Sequence, residues 1–196
     1  VIDFIKLVAW FLLIFVGLRH YVIEGYEVQG PSMQPTLENN ERILVLKLPH
    51  IISKWSLFED YQAIKPGDIV VFDSPDTANK RYVKRVIAHG PKDTSDGNTV
   101  SAGTQGAPRE GDVIVSFKQG SVYVNNRIVE EDYIRQDGRD LSGPHDITLG
   151  AGEYCVLGDN RRVSKDSRSF GEIDDDTIIG KAFLRFWPPS RISLLR

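Results

Sequence analysis

The sequence predicts a mainly β protein: an N-terminal transmembrane helix followed by a β-rich domain with an inserted β-hairpin lobe. Three observations carry this. Leu7 to Leu18 (LVAWFLLIFVGL) runs twelve residues without a polar side chain, and Val1 to Ile5 and Tyr21 to Ile23 extend it around Asp3, Lys6, Arg19 and His20. After residue 23 the pattern turns to short apolar runs, alternating or fully apolar, punctuated by Gly, Pro, Asn and Asp, which is the signature of strands and turns. Between Pro91 and Pro108 the stretch PKDTSDGNTVSAGTQGAP is almost free of large apolar residues and reads as a long surface excursion.

Crossing the hydrocarbon core takes about 20 residues. The apolar stretch reaches that length only with its flanks, and Lys6 and Arg19 stand where long side chains can snorkel to the headgroups. A buried core helix is the alternative, but it would show a polar face, and this one shows almost none. A cleaved leader would end in a small-x-small site; RHYVIEGY is bulky, so the segment reads as a retained, single-pass anchor. Basic residues on both flanks leave its orientation open. Expected strands are Tyr26 to Gln29, Arg42 to Leu48, Asp68 to Phe72, Arg81 to Ala88, Asp112 to Phe117, Ser121 to Val124, Arg127 to Val129, Glu153 to Leu157 and Ile178 to Trp187. Asn125-Asn126 fits a two-residue hairpin turn, because Asn tolerates positive φ. The resulting division is 1–23 anchor, 24–91 and 149–196 catalytic β-domain, and 92–148 inserted lobe. Two aromatic clusters, HIISKWSLFEDY at 50–61 and FLRFW at 183–187, suit either a membrane interface or ordinary packing on the sheet.

Composition narrows function by exclusion. A chain of 196 residues with 41% hydrophobic and 26% charged residues can bury a core and is neither disordered nor fibrous. With 24 Lys+Arg against 27 Asp+Glu, the net charge of -3 does not suit a phosphate backbone, so nucleic acid is not an expected partner. The single cysteine, Cys155, excludes an intrachain disulfide and any multi-cysteine metal site. No metal or other cofactor is expected.

Three segments hold the chemistry. Ser32 lies in QGPSMQPTL, where Gly30, Pro31 and Pro35 stiffen a bend that can present a side chain; a turn serine capping its own backbone is the plain alternative. The G-x-S-x-G elbow is not met, since Gln34 takes the place of its second glycine. None of the four histidines is well placed as its base: His20 abuts the apolar segment, His50 follows Lys-Leu-Pro, and His89 and His145 sit in Gly/Pro loops. Lysine can serve instead if burial lowers its pKa from about 10.4 toward neutrality, which costs about 4 kcal/mol for some three pH units. Lys84 in RYVKRVIA suits this: alternation puts Tyr82, Lys84 and Val86 on one strand face and Val83, Arg85 and Ile87 on the other, although a solvated edge-strand lysine fits too. The third segment, GDNRRVSKDSRSFG at 158–171, follows the apolar run EYCVL and is dense in Asp159, Asn160, Arg161, Ser164, Asp166, Ser167 and Arg168. Polar groups entering from a buried strand satisfy one another, so the loop should be ordered.

Taken in order, GPSMQPTL, GDIVVF at 67–72, RYVKRVIAHGP at 81–91 and GDNRRVSKDSRSFGEI resemble the boxes of bacterial type I signal peptidases, over nearly the whole chain outside 92–148. The resemblance implies an extracytoplasmic, membrane-bound serine endopeptidase that cuts signal peptides from exported preproteins after small residues of the Ala-x-Ala type, through an acyl-enzyme. It aligns Ser32 with the nucleophile, Lys84 with the general base, and Ser164 with the hydroxyl that hydrogen-bonds the lysine nitrogen. Asp159 with Arg85, and Asp166 with Arg168, match structural ion pairs. Met33 matches a residue lining the pocket for a small side chain, and the Ser32 N–H would serve the oxyanion. At Gly30 some members carry a serine whose hydroxyl adds a second oxyanion donor; glycine has none. Two rivals stand beside this: a self-cleaving serine-lysine protease of similar fold, which would carry a DNA-binding or soluble arm in place of the anchor, and a tethered β-domain that binds partners without catalysis.

Overall fold

The computed structural model describes residues 2–17, 21–54, 61–91, 111–134 and 146–195. The chain opens with helix α1 (Ile2–Gly17), whose side chains are solvent-exposed almost throughout: Phe4, Leu7, Trp10, Phe11 and Leu13 each show more than half their surface. The expectation of a spanning helix needs correction in length. Sixteen residues at 1.5 Å rise reach about 24 Å, short of the roughly 30 Å hydrocarbon core. Among the described residues no helix is long and apolar enough to cross a membrane. Arg19 and His20 lie outside the described residues.

The domain that follows is two antiparallel sheets. The larger contains β1 (Ile23–Glu27), β2 (Arg42–Leu46), β3 (Ile69–Asp73), β4 (Arg81–His89), β9 (Glu153–Leu157), β10 (Ile173–Asp174), β11 (Ile178–Trp187) and β12 (Ser193–Leu194). Its order is β1-β2-β11-β3-β4-β9-β10, with β12 on β11. The smaller sheet is β7-β6-β5-β8, from β5 (Val113–Lys118), β6 (Ser121–Val124), β7 (Arg127–Ile128) and β8 (Ile147–Leu149). Short strands β8, β10 and β12 escape the sequence pattern because two or three residues show no period. The expected strand Arg42 to Leu48 ends at Leu46, and Leu48 instead opens helix α2 (Leu48–Ser53), with a proline in its first turn and His50 buried. Trp55, Leu57 and Phe58 lie outside the described residues, as does nearly all of the 91–108 excursion.

Strand periodicity explains the core. On β3, Ile69 and Val71 face one buried cluster with Val28, Met33, Leu37, Ile43, Val45 and Ala182, while Val70 and Phe72 face a second with Ile64, Val86, Tyr154 and Val156. Both faces of β3 are covered, which is why IVVF reads as a continuous apolar run. On β9, Tyr154 and Val156 join the second cluster, and Cys155 and Leu157 turn to a third, where they meet Val115, Val122 and Leu149 of the smaller sheet. The two sheets therefore share a core. Asn125 and Asn126 both take positive φ, 49° and 65°, between β6 and β7, as a type I′ turn requires. Gln119-Gly120 does the same between β5 and β6 at 50° and 78°, a turn that glutamine conceals in the sequence.

Two details of pairing position the site. Residues 69–73 pair with 81–85 along one edge of β4, but β9 pairs with β4 only from Arg85 onward. The second edge at Arg81 to Lys84 carries no strand partner among the described residues. β1 pairs with β2 on one side and ends the sheet on the other.

Candidate active site

Ser32 follows β1 by five residues, in a loop whose apolar members, Val28, Met33 and Leu37, are buried in the first core cluster. Backbone bonds tie the loop to itself: Asn40 N–H to Val28 O at 2.8 Å, Gln34 N–H to Pro31 O at 3.1 Å, and Leu37 N–H to Met33 O at 2.9 Å. Gly30 sits at φ +89°, a conformation side chains rarely adopt, and donates its N–H to Asn39 Oδ1 at 2.7 Å. Gly30 thus offers neither a hydroxyl nor a free amide. Met33, expected to line a pocket, is fully buried; its side chain is spent on fastening the loop to the core.

The Lys84 amine meets this loop from β4. Nζ donates to Ser32 Oγ at 2.9 Å and to Val83 O at 2.9 Å, and lies 5.2 Å from the centroid of the Tyr82 ring. Only 3% of Lys84 is exposed. Burial pushes its pKa down to about 8, against the pull of the Asp166 and Asp159 carboxylates and helped by Lys80. Tyr82, unassigned from sequence except to the same strand face, is stacked on Phe170 and donates its hydroxyl to Asp76 Oδ1 at 3.1 Å; Asp76 is also paired with Lys165.

The 158–171 loop forms the other wall. Asn160 N–H donates to Ser32 O at 3.0 Å, fixing the serine backbone. Asp159, completely buried, accepts Arg85 Nε at 2.9 Å, Arg85 Nη2 at 2.8 Å and the Thr36 hydroxyl at 2.5 Å. Asp166 accepts Arg168 Nε at 2.8 Å and Nη2 at 3.0 Å, takes the Gly158 N–H at 3.0 Å, and caps the short helix α3 (Ser167–Phe170) by accepting from Arg168 N–H. Both expected ion pairs are formed. Ser164 differs from expectation. Its Oγ is buried with no hydrogen-bond partner among the described residues, since Lys84 directs its bonds to Ser32 and to the Val83 carbonyl.

Two residues of this segment, Gly158 and Arg161, received no role from the sequence. A Cβ on Gly158 would collide with Ser164 and lie 2.6 Å from Ser32 O, so only glycine lets the loop close on the serine. Its place at the mouth of a buried strand was the available signal. Arg161 is buried, donates to Gly158 O at 2.9 Å, and is held by Glu131 at 2.5 and 3.2 Å; nothing local in VEED marks that distant partner.

A hydroxyl, a buried amine of lowered pKa and a free strand edge beside them are the parts of a serine protease that works without histidine. The family model and the sequence relatives agree. The family model for signal peptidase, peptidase S26, matches residues 1–95 and 107–187. Signal peptidase IB of Staphylococcus aureus is 33% identical over 197 residues, spanning 92% of this chain and 85% of that protein. A probable signal peptidase I-2 of Synechocystis sp. is 32% identical over 187 residues, spanning 92% and 70%. A crystal structure of a signal peptidase I from Enterococcus faecalis aligns with TM-score 0.43 at 26% identity, covering 61% of this chain and 97% of that one. The chain belongs to the peptidase S26 family of signal peptidases and is a serine endopeptidase of the signal peptidase I type.

Proposed function

We propose that this chain removes signal peptides from preproteins at a membrane surface by a Ser32–Lys84 dyad, cutting after small residues at Ala-x-Ala type sites through an acyl-enzyme. The observation that carries this is the 2.9 Å contact between Lys84 Nζ and Ser32 Oγ inside a pocket that lowers the lysine pKa to about 8. Neutral Lys84 takes the Ser32 proton as Oγ attacks the scissile carbonyl carbon. The Ser32 N–H, which bonds to no carbonyl among the described residues, supports the developing oxyanion. The Lys84 ammonium returns the proton to the leaving amine, and a water deprotonated by Lys84 then hydrolyses the Ser32 ester. Ser164 Oγ, buried and bonded to nothing among the described residues, steadies the neutral amine only once Lys84 gives up the Val83 carbonyl. The two ion pairs, Arg85 with Asp159 and Arg168 with Asp166, hold the loop that clamps Ser32.

The preprotein binds as an extended strand along the open edge of β4 beside Lys84, a mode that reads main chain first and side chains second. Helix α1 places the enzyme where such substrates emerge. Its apolar side chains are left exposed by the described residues, which suits a bilayer; with flanking residues it forms a single-pass anchor, and the catalytic β-domain stands on the extracytoplasmic side. Residues 92–148 form a lobe inserted into that domain, built around the smaller sheet.

The test is cleavage of a purified preprotein in detergent. Ser32→Ala or Lys84→Ala is expected to lower kcat/KM by at least about 10³-fold with the fold retained by circular dichroism, and mass analysis should place the cut after an Ala-x-Ala sequence. Full activity in both variants would overturn the dyad and favour a tethered binding domain.

A further inference from the structure

The open edge of β4 does not run on without interruption. From Lys84 back to Tyr82 it spans about 7 Å, two strand rises, room for three extended residues. Next comes Arg81, which leaves its own strand to bridge to β1: Nη1 donates to Tyr26 Oη at 2.7 Å and to Glu24 Oε1 at 3.2 Å, and the guanidinium lies over the Tyr26 ring at 5.3 Å. Glu24 is held from its other side by Lys47 at 3.0 Å, and Arg81 from its other side by Asp73 at 3.5 Å. The two edges without a strand partner among the described residues, the outer edge of β1 and the Arg81 to Lys84 stretch of β4, are thus joined at one end by the dyad contact and at the other by this charged crossing. Between them lie the half-buried side chains of Tyr26 and Val83, both packed on the first core cluster. Arg81 also lines an open hollow of about 700 Å³ with Asp73, Ser74, Ala78, Asn79 and Lys80.

We infer that the Arg81–Glu24–Tyr26 bridge is a latch across the far end of the substrate groove, which a peptide must open when it extends more than about three residues on the N-terminal side of the scissile bond. This rests on the dyad and edge-binding reading above. The N-terminal side is assigned because Glu24 stands on the strand that follows α1. The apolar part of a signal peptide precedes its cut site, so that side of the substrate enters from the membrane end of the groove. Opening the latch transfers Arg81 from Glu24 to the solvent-open hollow, where the arm continues. Selectivity follows: three residues suffice to reach the dyad, and only an arm that carries enough binding energy of its own displaces the bridge. Arg81 and Glu24 are gating residues and touch no reacting atom.

The experiment compares peptides sharing one Ala-x-Ala site and one C-terminal half, with three or ten residues ahead of the scissile bond, cleaved by the purified protein in detergent. Glu24→Gln and Arg81→Ala are each expected to raise kcat/KM for the ten-residue arm about fivefold, the size of an exposed ion-pair contribution, through KM and with the three-residue arm unchanged within about twofold. Raising NaCl from 50 to 500 mM should raise wild-type turnover of the long arm and leave Arg81→Ala flat. Equal effects on both arms, a loss on the long arm, or sensitivity to C-terminal rather than N-terminal extension would overturn the latch. Ser32→Ala is run alongside: if it still cuts, the dyad reading has failed rather than the latch.

Discussion

Lys84 and Arg85 are neighbours on β4, and the pockets on its two sides treat the same problem in opposite ways. Both residues are at most 3% exposed, so both lose the hydration of a cation. Arg85 is given a full replacement: two bonds from the Asp159 carboxylate, the Gly67 carbonyl at 2.7 Å, the Thr36 hydroxyl and the face of the Tyr133 ring at 4.0 Å. Lys84 is given a hydroxyl, one carbonyl and a ring. No carboxylate of the described residues bonds it, and its pKa falls to about 8, a difference worth about 3 kcal/mol from its ordinary value. Burial alone does not make a base. Burial with the counter-charge withheld does, and the strand withholds it by sending alternate side chains to different faces.

The comparison breaks most visibly if the Arg85 pocket is made to resemble the Lys84 pocket. Asp159→Asn removes the counter-charge and strands a guanidinium that cannot shed its proton. The expected cost is about 3–5 kcal/mol, a fall of roughly 10 °C in the midpoint for a chain of this size, read by thermal unfolding in detergent. A midpoint within two or so degrees of the parent would show that Arg85 is held without the Asp159 charge, and that its pocket differs from that of Lys84 less than the geometry implies.

How much of this was legible depends on whether the signal was local. RYVKRVIA shows its alternation directly, and the second cluster receives Tyr82 and Val86, which the sequence places on one face. IVVF and EYCVL read as buried strands, and the polar box behind EYCVL proved ordered through the two ion pairs it was expected to contain. Arg161 was visible as a charge, but Glu131, thirty residues earlier with β8 and β9 between, was not. Ser164 was assigned a bond to Lys84 that the structure does not form, because the amine has a nearer oxygen in the Val83 carbonyl of its own strand. Backbone acceptors are invisible to side-chain motifs. Met33, which the resemblance assigns to a pocket wall, is buried in the first core cluster and so also anchors the Ser32 loop, a packing role that its sequence neighbours do not show.

The Lys84 pocket itself is sharpened by pH. If the amine must be neutral to take the Ser32 proton, kcat/KM follows the unprotonated fraction, rising through a pKa of about 8 and falling about 50-fold between pH 8 and pH 6. The measurement is a kcat/KM profile on a peptide whose own groups do not titrate between pH 6 and pH 9. A flat profile across that range would mean that Lys84 is not the proton acceptor.

The smallest effect tests the same pocket without substrate. A folded-state pKa below the unfolded value means that, between about pH 8 and pH 10.5, the unfolded chain binds more protons at this site than the folded one, so stability rises with pH across that window. Below about pH 8 the burial penalty of the cation is carried in full; above about pH 10.5 both states are neutral and it vanishes. Lys84→Met keeps most of the volume and discards the charge, at the loss of the bonds to Ser32 and Val83. The variant should therefore be more stable than the parent by about 1–2 kcal/mol at pH 7, with the gap closing toward pH 10, measured as paired thermal midpoints. The same substitution abolishes the proposed base. Stability gained where activity is lost would identify the Lys84 pocket as a site held at a cost to the fold, whereas Arg85, treated the same way, should show only loss.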